Sequence, residues 1–175
     1  RMGIVLPEGV YNNPSLAYVR QFAEDRAKIS AIISMPQDTF VSSKAFVKTS
    51  LLFMQKFTEE ESKKWLGILS KKQNEILAKQ KKEHGVLEAI LKDRKASKEK
   101  KKETKAKLKG LDDFVQSESR RLARADFDYP IFMCEAERVG ISSTGEEDKN
   151  ELPQILEEYA KFQKDPKNYG RNTRK

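Results

Sequence analysis

A chain of 175 residues is about one domain long, yet with 37% hydrophobic and 35% charged side chains a compact core cannot use its whole length. The net charge of +8 is local: residues 92–109 hold ten basic side chains against three acidic ones, and the remainder is near neutral. Cys134 is the only cysteine and His84 the only histidine, so an intrachain disulfide is excluded, a zinc site would need further ligands that the sequence does not cluster, and a histidine-based nucleophilic triad would have to be built around His84 in a lysine-rich helical stretch.

No apolar run reaches the roughly 20 residues of a membrane span, and the first residues carry no signal-peptide pattern, so a soluble, cytoplasmic protein is expected. The chain opens on RMGIVLPEGV, where Ile4-Val5-Leu6 reads as a strand at residues 3–6 buried on both faces. Such a strand needs neighbours on either side, and the beginning of its sheet is expected to lie outside this chain. Pro7-Glu8-Gly9 supplies turn chemistry. Asn13 then suits an N-cap and Pro14 the first helical position, with Leu16, Val19, Phe22 and Ala23 on one face of a helix ending near Ala27. KISAIISMP is the second strand, closed by Pro36, and FVKTSLLFMQKF the third. A strand-helix-strand unit of this length predicts a right-handed crossover in a mostly parallel α/β sheet, which three strands and one helix cannot complete.

From Thr58 the pattern turns helical, with acids at residues 59–61 and Trp65, Leu69, Ile76, Leu87, Ile90 and Leu91 at helical spacings. The stripe weakens over residues 78–85. Leu108, Leu111, Val115 and Leu122 resume it beyond the basic run, so an antiparallel helical hairpin is predicted, lysine-rich near its tip. One continuous helix is the competing reading. DYPIFMCEAERVG predicts an edge strand at residues 130–137, residues 142–149 a polar loop, and residues 152–162 a short helix with Pro153 in its first turn. A hairpin whose ends return to one sheet reads as an insertion. The expected organisation is residues 1–57 in the sheet, 58–125 in the inserted hairpin, 126–164 in a returning strand and helix, and 165–175 in a flexible basic tail.

RMGIVLPEGVYNNPSLAYVRQF, ISAIISMPQDTF, FVKTSLLFMQK and YPIFMCEAERVGI, in that order, closely resemble the latter part of the catalytic domain of N6-adenine DNA methyltransferases, especially the modification subunits of type I restriction-modification systems. The resemblance covers residues 1–57 and 127–160 as an ordered set. It implies a partial Rossmann-like methyltransferase sheet in which residues 3–10 form a central strand. Residues 29–35 and 47–56 would be the last two strands, one of them antiparallel. Family members hold S-adenosylmethionine on a Gly-rich loop and grip the flipped adenine with an Asn-Pro-Pro-Phe/Tyr motif. Neither is in this chain, Asn13-Pro14-Ser15 being a helix cap. The resemblance therefore implies S-adenosylmethionine as cofactor of the full-length parent and none for this fragment, which is expected to be inactive alone. It also implies DNA, the N-terminal part of the methylase, and the specificity and restriction subunits as partners. An open sheet edge adds an expectation of self-association.

In the family the loop between the last two strands lies by the target base, so Phe40 is the candidate to stack on a flipped adenine, with Phe46 as the other possible alignment. Lys44 and Lys48 flank that loop and are candidate phosphate ligands. Lys98, Lys100, Lys101 and Lys102 are candidate DNA contacts in the hairpin. For each of these a solvated or core-capping role is the competing reading. The rival for the whole chain is a non-enzymatic basic helical module that binds nucleic acid or a partner protein.

Overall fold

In the computed structural model, which describes residues 1–93 and 95–169, the apolar runs of the first third become three strands. These are β1 (Met2–Pro7), β2 (Ala27–Ser34) and β3 (Thr49–Lys56), and a fourth, β4 (Phe132–Glu135), joins from far along the chain. The order in the sheet is β1-β3-β2-β4. β3 is antiparallel to both β1 and β2, and β4 is parallel to β2. The sheet is thus mixed rather than mostly parallel. A strand-helix-strand crossover fixes only that β1 and β2 point the same way, and it leaves room for a third strand to enter between them.

Register places Ile4, Leu52 and Ile32 in one row and Val5, Leu51 and Ile33 in the next, so successive rows face opposite sides. On one side Tyr11 of α1 (Gly9–Asn12) and Ala23 of α2 (Ala17–Glu24), with a 3-10 turn (Pro14–Leu16) between the two helices in sequence, pack on Ala27, Leu52 and Met54. Asn13 does cap here: its Oδ1 accepts from the Ser15 amide at 2.9 Å. The helix stops at Glu24 because Ala27 is already paired with Lys56. On the other side α5 (Leu152–Lys164) lays Ile155 and Phe162 against Ala31, Ile33, Phe132 and Ala136. Phe132 is the hub of that core, with the rings of Tyr159, Phe162 and Tyr169 centred 5.4, 5.5 and 5.8 Å away.

β1 departs from the burial read in its sequence. It is an edge strand paired only with β3, and Met2, Ile4 and Val5 are 50%, 38% and 45% exposed. Of the loop expected at residues 142–149, residues 142–146 are one, while residues 147–149 belong to a strand. β5 (Val139–Ile141) and β6 (Glu147–Asn150) form a small antiparallel ribbon, turned through Gly145 at φ +89°. Of the expected flexible tail, Tyr169 packs on Phe132 and its hydroxyl donates to Glu158, while residues 170–175 lie outside the described residues.

Residues 59–128 form a second compact unit of two long helices, α3 (Glu59–Lys92) and α4 (Lys98–Asp126). α3 runs through the weak stretch without a break, Gly85 included. Gln73 meets Gln116, and His84 meets Asp112, so partner numbers fall along α4 as they rise along α3, the signature of antiparallel packing. Trp65, 3% exposed, tilts against Phe127 at 5.7 Å between ring centres, and Leu69, Ile76, Leu87, Val115 and Ala123 continue the buried seam. Ser97 caps α4 by accepting from the Lys100 amide. Among the described residues no helix is long and apolar enough to cross a membrane.

Candidate functional site

β1, β2 and β4 all point the same way, so their carboxyl ends open on one edge of the sheet, and β3 starts there. That edge is where open α/β sheets hold ligands. Backbone hydrogen bonds extend the ladders past the strand ends: Glu8 N donates to Lys48 O, Met35 N to Thr49 O, and Ala136 N to Ser34 O. The segments so held line a cleft of about 460 Å³ whose walls include Pro36, Gln37, Lys48, Glu135 and Glu137.

Lys48 sits in that wall between two carboxylates. Its Nζ lies 3.0 Å from Glu135 Oε1 and 3.5 Å from Glu8 Oε1, and Glu8 Oε1 also accepts from Ser34 Oγ at 3.1 Å. The hydrogen bond to Glu135, with the charges of both glutamates, raises the lysine above its ordinary range. A lysine held this way remains an ammonium. It bridges the ends of three strands through its two carboxylate partners. Glu8, read from sequence as part of a turn, is one of the two carboxylates of this clamp.

The loop that follows β2 is folded on itself. Thr39 Oγ1 donates to Pro36 O at 2.8 Å, Gln37 Nε2 to Phe46 O at 3.2 Å, and the Phe40 carbonyl accepts from both Ser43 N and Ala45 N. Phe40 opens the 3-10 turn Val41–Ser43 and is half-buried, whereas Phe46 is 68% exposed. Of the two aromatics left open by the sequence, Phe46 is the more exposed. Lys44 is exposed in the left-handed region at φ 62°. Beside this loop the β5–β6 turn approaches so closely that a Cβ on Gly145 would lie 3.2 Å from Ser42 Cβ.

The structure therefore brings Lys48 and the loop of Phe40 and Lys44 to one sheet edge. Lys98, Lys100, Lys101 and Lys102 belong to the first turns of α4 in the helical unit. Sequence reasoning missed Glu135 and Ser34, which have no local signal because their partners are remote in the chain. Burial raises the thiol of Cys134 above its ordinary value, which disfavours the thiolate a nucleophile requires. Among the described residues no group of three or more histidine, cysteine or acidic side chains could hold a metal ion. No protein-family model and no curated protein matches the sequence.

Proposed function

We propose that this chain carries the closing strands of an N6-adenine DNA methyltransferase catalytic domain, of the type I modification-subunit kind, with the α3–α4 hairpin inserted between strands of a Rossmann-like sheet. The observation that carries the reading is the direction of β3, antiparallel to both neighbours while β1 and β2 are parallel to each other. One of the two last strands has that direction in the family that residues 1–57 resemble. The apolar side chains left exposed on β1 support the same reading, since they suit a strand with further neighbours.

On this proposal the parent enzyme transfers a methyl group from S-adenosylmethionine to adenine N6 in DNA, as the cytoplasmic modification arm of a restriction-modification system, alongside specificity and restriction subunits. This chain contributes the loop by the target base, where Phe46 or Phe40 stacks on the flipped adenine and Lys44 meets a phosphate. It has neither the Gly-rich loop nor the Asn-Pro-Pro motif, so the proposal assigns it no cofactor and no methyl transfer of its own.

The test is complementation. The chain is mixed with a separately expressed polypeptide that bears those two motifs from such a domain, and transfer of labelled methyl to adenine in DNA is followed. Activity of the mixture and of neither part alone is expected. Cofactor binding by this chain alone, measured by calorimetry, would overturn the reading, as would failure of the two parts to associate. The second reading, a non-enzymatic basic helical module, is favoured by the compactness of residues 59–128 as a unit. It predicts nucleic-acid or partner binding with no complementation.

A further inference from the structure

We propose that one face of α4 is a rail for the phosphodiester backbone of duplex nucleic acid, built from Lys98, Lys102, Lys105 and Lys109. Their spacings of four, three and four residues place them within a stripe about 60° wide at 100° per residue, and all four are exposed. At 1.5 Å rise per residue the stripe is about 16 Å long, which spans about five phosphates of one strand along a duplex axis. Lys100 and Lys101, adjacent in sequence, point to other sectors, and Lys101 is half-buried on the side of the buried Thr104. The rail is thus not the contiguous cluster that the sequence suggests.

The acids of the segment lie off the stripe. Glu99 and Glu103 fall on the neighbouring sector, and Glu103 is taken by Lys107 at 2.7 Å. Among the described residues no ion pair engages any of the four rail lysines, and the acids that flank the stripe, Asp112 and Asp113, come only beyond its end at Lys109. This arrangement works against the helix that carries it. Lys98 and Lys102 stand near the amino end of α4, where the aligned peptide dipoles repel cations. Lys98 and Lys102, and again Lys105 and Lys109, are like-charged pairs four residues apart. A helix kept merely soluble can interleave signs, as Glu88 and Lys92 do on α3. Keeping one lysine face free of acids despite local repulsion is what a polyanionic partner rewards.

The chemistry of the face narrows that partner. Residues 92–109 include no aromatic side chain, so bases have nothing to stack on and contact is with the backbone, independent of sequence. A helix that lies in a lipid surface needs a broad exposed apolar face to insert, and no large hydrophobic side chain is exposed between residues 98 and 109. The inference stands on α4 alone and does not depend on the methyltransferase reading. Neither cofactor nor methylase partner enters its test, so the two can fail separately.

The experiment is a fluorescence-anisotropy titration of the full chain against a labelled 20-base-pair duplex of arbitrary sequence, between 50 and 200 mM NaCl. Four phosphate contacts give a log-log slope of about −3.6, so affinity should fall about 150-fold over that fourfold range of salt. The variant K98Q/K102Q/K105Q/K109Q should bind at least 100-fold more weakly at 50 mM NaCl, yet melt at the same or a higher temperature because repulsion is relieved. The variant K100Q/K101Q should keep the slope within about one unit of the parent. Absence of binding at 50 mM NaCl, an unchanged slope in the quadruple variant, or binding to phosphatidylserine vesicles in preference to the duplex would each overturn the proposal.

Discussion

Replacing Phe132 with alanine removes the ring on which one side of the sheet is assembled. Phe132 is 2% exposed and touches three aromatic rings, two of them from α5 and the third Tyr169. A buried phenylalanine cut to alanine costs about 3–5 kcal/mol. The edge-on and tilted ring pairs argue for the upper half of that range, about 4 kcal/mol, since each is worth ~0.5–1.5 kcal/mol beyond its buried area. Little else offsets the loss, because β4 is only four residues long and pairs with β2 alone. Against a total of about 5–15 kcal/mol for a domain, the variant should be close to unfolding. With a urea slope near 1.5 kcal/mol per molar, the midpoint should drop by about 2–3 M. The readout is the near-ultraviolet dichroism of the tyrosines, with the fluorescence of Trp65, which belongs to the helical unit, recorded in parallel. Phe132→Leu should lose only about 1.5 kcal/mol, as larger apolar replacements do. A loss below about 1 kcal/mol for the alanine variant would refute the claim that this cluster anchors α5 to the sheet.

Three further outcomes are expected. Gly145→Ala puts a Cβ at φ +89° and 3.2 Å from Ser42 Cβ, so it should cost about 1–2 kcal/mol and lower the melting temperature by roughly 4–8 °C per kcal/mol. An unchanged melting temperature would mean that the ribbon turn does not bear on the neighbouring loop. Lys48 is raised in the folded state, so its contribution is complete below the ordinary lysine range and is lost as pH rises through the folded value. Lys48→Met should therefore be less stable than the parent at pH 8, and the gap should narrow at strongly alkaline pH in urea titrations; a constant gap would place the effect in packing. Glu151 is lowered, first by the Glu137 amide at 3.0 Å, so its contribution is present above the ordinary carboxylate range and is lost as pH falls through the folded value. Glu151→Gln should flatten the acid limb of the stability profile, and a parallel shift at every pH would argue against the hydrogen bond as its source.

What could be read from the sequence followed from periodicity, and what could not followed from distance along the chain. The helices betrayed themselves through Trp65, Leu69 and Ile76 on one side and Leu111 and Val115 on the other, because burial in a two-helix seam demands such spacing. Residues 139–150 gave no strand pattern because every β6 side chain is exposed, so Glu147-Asp148-Lys149-Asn150 has no apolar face to alternate with. β1 misled through the opposite fault, an apolar run that promises two covered faces on a strand with an open edge. At the sheet edge, Lys48 was visible as a loop cation, but its partner Glu135 lies 87 residues away, and only folding puts them together. The rail on α4 was half legible. Composition announced the lysines, and helical phase sorted them.

The antiparallel pairing of α3 with α4 also bears on how the sheet can be completed in time. β2 must find β4 across nearly a hundred residues, most of them in residues 59–128. Within that segment Trp65 and Phe127 touch, so once the helices pair the ends of the excursion are already brought close. The search that remains is that of a chain of about thirty residues, and the loop-closure penalty falls by about 1 kcal/mol. Local helical contacts form on the microsecond scale, ahead of long-range strand pairing. An excursion that would otherwise delay the sheet becomes a clip that shortens the search of β4 for β2.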